Sequence, residues 1–235
     1  MTAALTTAAR RRAGFTLLEL LVVIAVLAAA TAVLFTGFGA GGRAAALQAG
    51  QASVANLLSA ARVQAMASGR PVRLLVHIDE TSDAEPGRYL RYLVLQRLGA
   101  DGAWLTLQDI YLPGGVYVVP GNFASLPAGL FPATPVVPWT RMDGAALRST
   151  VLRDSALTFA TVNHPLGERW AEINLSPLGT TVQSGDLIIA SGRPRPPAAR
   201  GAGESPVELD NADAVRGVSL SSYGVAVLID GRTGF

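Results

Sequence analysis

The chain has 235 residues, of which 50% are hydrophobic and 15% are charged, and it contains no cysteine. This composition excludes a disordered tail and a small disulfide-stapled module, while the length allows one large domain or two small ones. The formal net charge of +2 is too small, over 235 residues, to indicate a nucleic-acid-binding surface.

Three consecutive arginines, Arg10, Arg11 and Arg12, dominate the charge of the N-terminal leader, residues 1–14, which contains no acidic residue. The rest of the chain holds 16 arginines against 17 acidic residues, so its formal charge is −1. Arginine-rich flanks of membrane segments stay in the cytoplasm. The leader therefore predicts a cytoplasmic N-terminus, with the bulk of the chain on the other side of the membrane.

An apolar segment, residues 15–36, follows the leader and contains one charged residue, Glu19. As a helix it would be about 33 Å long, against about 30 Å of bilayer hydrocarbon. Two interpretations are open at this point. The segment is either a retained membrane anchor or a secretory signal peptide that is cut after Ala30 or Ala32.

Glu19 favours the retained anchor. A carboxylate costs about 2.5–3.5 kcal/mol at the centre of an apolar span, so an acid in such a segment indicates a functional site. An ordinary signal peptide has no use for it. A retained helix that begins at Phe15 would place its α-amino group four residues from Glu19, near the positive end of the helix dipole.

The residues Gly14-Phe15-Thr16-Leu17-Leu18-Glu19, between an arginine-bearing leader and an apolar run, resemble the processing site of type IV prepilins and type II secretion pseudopilins. The resemblance implies that a prepilin peptidase cuts between Gly14 and Phe15 and methylates Phe15. It also implies that Glu19, the fifth residue of the mature chain, acts in filament assembly by neutralising the N-terminal amine of an adjacent subunit.

Residues 37–42 contain four glycines and predict a hinge. Residues 43–68 then return to helical periodicity, with glutamines and Asn56 mostly outside the apolar stripe, and Gly69 and Pro71 predict the end of the helix. The stripe consists of Leu47, Val54, Leu57, Leu58, Ala61 and Ala65, and the polar positions are Gln48, Gln51, Asn56 and Gln64. This pattern fits the pilin plan of a transmembrane half and an amphipathic half of one helix. A membrane anchor followed by an unrelated amphipathic helix fits it as well.

Residues 70–235 predict a globular head that is mainly antiparallel β, since runs of β-branched, leucine and aromatic residues alternate with polar or glycine-bearing turns. Residues 99–102 predict a hairpin turn. The predicted fold class is therefore α+β, with a type IV pilin-like helix packed on a β head. The candidate strands are residues 71–78, 89–96, 104–112, 116–119, 156–162, 170–175, 186–190, 218–221 and 225–229.

Three further segments of the sequence resemble one subgroup of the pilin-like proteins. Residues 57–74 resemble the helix-to-strand junction of GspH/FimT-type minor pseudopilins and minor pilins. Residues 173–179 and 218–227 resemble the two strand-turn-glycine units that end that domain.

Two proline-bearing stretches depart from a compact head. Residues 120–144 combine five prolines with aromatic residues, and they form either a partner-binding surface or a loop over the core. Residues 193–206 predict a mobile polar loop. Phosphate contacts by its three arginines are the less favoured interpretation, because no aromatic residues lie between them.

The sequence predicts neither an enzyme nor a cofactor or metal site. It has two histidines, His77 and His164, and lacks cysteine, a nucleotide-binding glycine loop and a Gly-x-Ser-x-Gly elbow. Acidic residues around Asp79 and Asp210 do not follow EF-hand spacing and predict solvated turns. Arg62 on the helix predicts a pairing or snorkelling residue rather than a ligand contact. The two acidic groups are Asp79, Glu80, Asp83 and Glu85, and Asp210 with Asp213.

The resemblance implies a minor pseudopilin or minor pilin, anchored once in the inner membrane with a periplasmic head and then assembled into a filament. Its implied partners are prepilin peptidase, other pilins or pseudopilins and the inner membrane. Neither a small-molecule substrate nor nucleic acid is expected. The filament is a type II secretion pseudopilus or a type IV pilus, the latter for twitching or DNA uptake. The rival hypothesis is an exported, periplasmic β-rich binding protein with an ordinary signal peptide.

Overall fold

The computed structural model describes residues 17–81, 87–123, 126–159 and 167–235, with the backbone alone described over most of 17–41 and over 155–159. These residues form one long helix, two antiparallel sheets and two short 3₁₀ turns. The chain divides into two compact units, residues 1–42 and residues 43–235. The long helix, α1 (Leu17–Ser68), contributes residues to both units.

Helix α1 runs from Leu17 to Ser68 without a break. It continues through residues 37–42, where the glycines predict a hinge, and the boundary between the two compact units lies directly after Gly42. The helix ends as the sequence predicts, because Gly69 follows Ser68 with a left-handed φ of +60°.

Ten strands follow the helix. In chain order they are β1 Val72–His77, β2 Tyr92–Leu98, β3 Trp104–Tyr111, β4 Val116–Val118, β5 Arg153–Phe159, β6 Glu168–Leu175, β7 Gly185–Pro194, β8 Val207–Leu209, β9 Val215–Leu220 and β10 Ala226–Asp230. The first sheet has the order β3-β2-β1-β6-β5 and the second has the order β10-β9-β7-β4, with β8 also paired to β7. Neighbouring strands in both sheets are antiparallel. The predicted α+β class is confirmed.

One hydrophobic core joins the second half of α1 to both sheets. All six residues of the predicted apolar stripe are buried, and Leu58, Ala61 and Ala65 are fully so. They share the core with inward-facing side chains of the first sheet, such as Leu74, and of the second, such as Leu187. Truncation of a buried leucine of this kind to alanine typically costs about 2–5 kcal/mol, so the stripe holds α1 on the head.

The bounds of several strands differ from the predictions, and β9 begins at Val215, three residues before its predicted start. Strand β2 begins at Tyr92 rather than Tyr89, because Leu90 has a φ of +56° inside a turn whose Arg91 and Tyr92 amides donate to the Arg88 carbonyl. Strand β5 begins at Arg153, earlier than predicted, and residues 160–162 lie outside the described residues. Strand β8 was not predicted, and β7 extends into the segment predicted as a loop.

Candidate functional site

The predicted processing residues lie outside the described residues, namely Arg10, Arg11, Arg12, Gly14 and Phe15. Glu19 is the third residue of α1, and only its backbone is described. The assignment of these residues to cleavage, N-methylation and assembly therefore stays a prediction.

The described part of the apolar segment includes the side chains of Leu21 and Ile24, which are 62% and 58% exposed. Within the residues that the structure describes, no helix is both long enough and apolar enough for a membrane crossing. The assignment of residues 15–36 to a membrane span stays a prediction of the sequence.

A buried polar side chain fixes the second half of α1 against the second sheet. Gln51 is only 3% exposed, although the sequence predicts the polar positions of this helix mostly outside the apolar stripe. Its Nε2 donates to the carbonyls of Gly217 and Ile229, both at 2.9 Å, and its Oε1 accepts from Arg216 at 3.1 Å. The prediction is wrong for Gln51, because backbone acceptors on β9 and β10 compensate the cost of burying its amide.

The two strand-turn-glycine units lie against each other and against α1. Each turn begins with a serine and ends with a glycine of left-handed φ, +72° at Gly179 and +70° at Gly224. The amides of these glycines donate to the carbonyls of Ser176 and Ser221 at 2.8 Å, and Ser222 accepts from the amide of Thr181 at 2.9 Å. The β6–β7 and β9–β10 turns therefore form one structural unit.

Glycine is required by this contact as well as by the backbone angle. A methyl group added at Gly224 would overlap the carbonyl oxygen of Gly179. One added at Gly179 would lie 2.9 Å from Cγ of Arg62 and 3.0 Å from Cγ of Met66 on α1. The two glycines thus let both turns approach each other and the last turns of the helix.

Arg62 lies where these turns meet the helix. Its aliphatic stem borders both glycines, in agreement with the snorkelling that the sequence predicts. Its Nε is buried, and no hydrogen-bond acceptor lies within reach of that atom among the described residues. No ion pair within the described residues includes Arg62, so its charge is not neutralised there.

A second polar cluster lies on the outer face of the first sheet. Glu168 is 1% exposed and pairs with Arg88 at 2.8 Å, while its other carboxylate oxygen lies 3.7 Å from Nε2 of the fully buried His77. The ring of Trp170 packs edge-on against His77, with centroids 5.0 Å apart, and Arg88 lies over the ring of Tyr92. A cavity of about 220 Å³ adjoins the cluster.

The chemistry of this cluster is that of a buried ion-pair network. The hydroxyl of Thr106, which lines the cavity, accepts a hydrogen bond from Nε2 of Gln96 at 3.3 Å. His164, the other histidine of the chain, lies outside the described residues. Sequence reasoning missed the cluster because His77 and Glu168 are 91 positions apart and meet only when β1 pairs with β6.

Asp79 directly precedes a turn at residues 80–81 and is buried, so the prediction of a solvated turn is wrong for Asp79. The carboxylate of Asp79 accepts from the backbone and hydroxyl of Thr81 and from the amide of Arg169. Burial would raise the pKa of Asp79, but these hydrogen bonds to its charged form hold the pKa below its usual value. Asp83 and Glu85 lie outside the described residues, and within the described ones no group of three or more potential ligands is close enough to hold a metal ion.

The two proline-bearing stretches are both attached to the head. In residues 120–144, Leu130 and Trp139 are buried in the core, so much of this loop folds over the core. In the second stretch, β7 and β8 pair as a hairpin, Arg193 pairs with Asp210 at 2.8 Å, and Arg195 pairs with Glu208 at 3.0 Å. Residues 193 and 194 of the predicted loop belong to β7, and the rest of the stretch connects β7 to β8.

Residues 9–35 match the prokaryotic N-terminal methylation motif. No curated protein matches the chain. Among solved structures, the chain is similar to the type IV minor pilin FimU of Pseudomonas aeruginosa strain PAO1, with 13% identity over 78% of this chain and 87% of that one, at a TM-score of 0.37. Two structures of the minor pseudopilin EpsH from the type 2 secretion system of Vibrio cholerae show 14% and 15% identity over 79% of this chain. The alignments cover 96% and 94% of those two chains, at TM-scores of 0.39 and 0.36.

The motif match covers the last six residues of the leader, the glycine–phenylalanine junction, Glu19 and most of the apolar run. The chain therefore carries an N-terminal methylation motif at the place where the sequence predicts a prepilin processing site. The minor pilin and minor pseudopilin structures, at TM-scores below 0.5, do not distinguish between filament systems.

Proposed function

We propose that the chain is a minor pilin or minor pseudopilin, made as a prepilin and cut by prepilin peptidase between Gly14 and Phe15. Phe15 then becomes the methylated N-terminus, and Glu19 acts in assembly with other pilins or pseudopilins. The observation that carries the proposal is the methylation motif at residues 9–35, which includes each of these three residues.

The proposal is consistent with the physical chemistry of the N-terminal segment. Removal of residues 1–14 takes away three positive charges and leaves a mature chain with a formal charge of −1. The leader arginines hold the N-terminus in the cytoplasm, so the head lies in the periplasm of a single-pass inner-membrane protein before it enters a filament. Glu19 is then the one acidic group in an otherwise apolar segment and requires a cationic partner.

The N-terminus of the mature protein tests the proposal directly. We expect the intact mass of the full chain, isolated from membranes of its host, to lack residues 1–14 and to include one added methyl group. A substitution that blocks recognition at the junction, Gly14→Ala, should leave the leader attached, whereas Ala13→Gly beside it is the matched control. A mature N-terminus at Thr31 or Val33 would instead establish the signal peptide of an exported binding protein.

The filament system is a separate question. Deletion of the gene, scored for protein secretion in one assay and for twitching and DNA uptake in two others, assigns the subunit to a secretion pseudopilus or to a type IV pilus. The proposed processing and assembly steps are the same in both.

A further inference from the structure

Near the C-terminal end of α1, exposed apolar side chains surround Arg62. Val63 and Met66 lie on the helix and are 60% and 46% exposed. Leu178 and Tyr223 lie at the tips of the two glycine turns and are 78% and 72% exposed. The contacts of Gly179 and Gly224 with Arg62 and Met66 bring these tips next to the helix. We call these five residues the Arg62 surface.

The Arg62 surface has almost no charge. Arg62 is the sole ionisable residue between residues 44 and 69. The two turns, residues 176–184 and 221–229, contain no charged side chain, and their one ionisable group is the phenol of Tyr223. Elsewhere the head is rich in ion pairs, such as those of Arg141 with Asp186 and Arg195 with Glu208. A single cation in an apolar surround is therefore a local feature of this surface.

The charge of Arg62 has no acidic neighbour among the described residues, and its Nε is already removed from water. A guanidinium in this position gains most from a carboxylate that arrives with apolar groups around it, since exclusion of water strengthens the pair. Exposed apolar side chains of this size at one place are typical of a protein interface.

We propose that the Arg62 surface docks the head of another pilin-like subunit, through an acidic side chain that pairs with Arg62 and apolar side chains that cover Leu178 and Tyr223. The occupant is a filament neighbour with a carboxylate set in an apolar patch. Charge complementarity defines it, because the surface offers one unneutralised cation and no anion. This inference rests on the proposed function, which supplies such neighbours.

Photo-crosslinking in the assembled filament tests the docking surface. A photoreactive phenylalanine analogue replaces Tyr223 in the full chain in its host, and in a matched control it replaces Val136, which is 97% exposed but lies in the proline-bearing loop. We expect crosslinks from position 223, and not from position 136, to an acidic segment of a different pilin-like subunit, identified by mass spectrometry of the crosslinked peptide.

Arg62 itself is tested by charge reversal. In the position-223 background, Arg62→Glu should lower the crosslink yield about tenfold or more, because two carboxylates would then face each other, whereas Arg62→Lys should retain most of it. Equal thermal unfolding temperatures of the variants in detergent show that folding is intact. If Arg62→Glu lowers that temperature, Arg62→Gln replaces it as the variant in the comparison.

The outcomes separate this inference from the proposed function. A chain that is processed and enters filaments, but crosslinks from position 223 only to a second copy of itself, to a protein outside the filament or to nothing, overturns the docking surface alone. A chain that is not cut after Gly14 overturns the proposed function, and the docking surface with it.

Discussion

At the scale of single residues, Gln51 distinguishes this helix from a purely hydrophobic one. Its amide bonds to the carbonyls of Gly217 and Ile229 and to Arg216, which also pairs with Asp230. We expect Gln51→Ala to lower the free energy of unfolding by about 2–3 kcal/mol, because two carbonyls lose a donor in a buried place. Urea unfolding of the purified full chain in detergent measures this change.

Two variants give that prediction its controls. Gln48→Ala changes an exposed glutamine on the same helix and should alter stability by less than about 0.5 kcal/mol. Gln51→Met keeps the shape of the side chain without its hydrogen bonds and should remain as destabilising as the alanine variant. A stable Gln51→Met protein would show that the volume of the side chain, and not its hydrogen bonds, holds the helix.

Single residues also show where sequence reasoning ends. The methylation motif could be predicted in full, because its residues are consecutive and the enzyme that the resemblance implies acts on the local segment. The burial of Gln51 could not, because its acceptors lie 166 and 178 positions away and are backbone atoms without a sequence signature. For the same reason Arg62 was predicted to snorkel or pair, but its contact with two distant turns was not.

At the scale of elements, the paired glycine turns couple β6–β7 to β9–β10. We expect Gly224→Ala to destabilise the protein by about 2–4 kcal/mol, because alanine disfavours a φ of +70° and its methyl group would overlap the carbonyl of Gly179. The thermal unfolding midpoint of the full chain in detergent should fall accordingly.

Gly203→Ala separates the two causes. Gly203 has a similar φ of +77°, but an added methyl group meets nothing within 4 Å, so only the backbone cost of about 1–2 kcal/mol should remain. Equal losses in both variants would mean that the contact between the turns contributes nothing beyond the backbone angle.

Most elements could be predicted from their own residues. The apolar stripe of α1, its end at Gly69 and the hairpin turn at residues 99–102 follow from local periodicity and turn chemistry, and the structure has each of them. Strand β8 could not be predicted, since three residues in a polar segment become a strand only through pairing with β7. The start of β2 at Tyr92, three residues later than predicted, depends on the turn conformation of Leu90, which the composition of the segment does not predict.

At the scale of the whole molecule, the proposed function depends on Glu19. We expect Glu19→Ala to be cut and methylated normally, because the junction of Gly14 and Phe15 is unchanged, but to be absent from filaments. The physical reason is that alanine leaves the N-terminal amine of an adjacent subunit without its counter-charge in an apolar medium.

Filaments sheared from cells and probed for the subunit measure incorporation, and the intact mass of the membrane-bound protein is the internal control for processing. Glu19→Asp, which retains a carboxylate, should enter filaments better than the alanine variant. Incorporation of Glu19→Ala at the level of the unmodified protein would contradict the assembly role.

The hydrogen bonds of Gln51 also have a mechanical consequence. A helix held by an apolar stripe alone resists displacement along its axis only weakly, since one apolar contact resembles the next. Slippage of α1 by one residue would move Gln51 by about 1.5 Å along the helix axis and place it about 100° away around that axis, which breaks both hydrogen bonds. A pull along the second half of α1 is therefore resisted by the hydrogen bonds of Gln51 to β9 and β10 as well as by the apolar stripe.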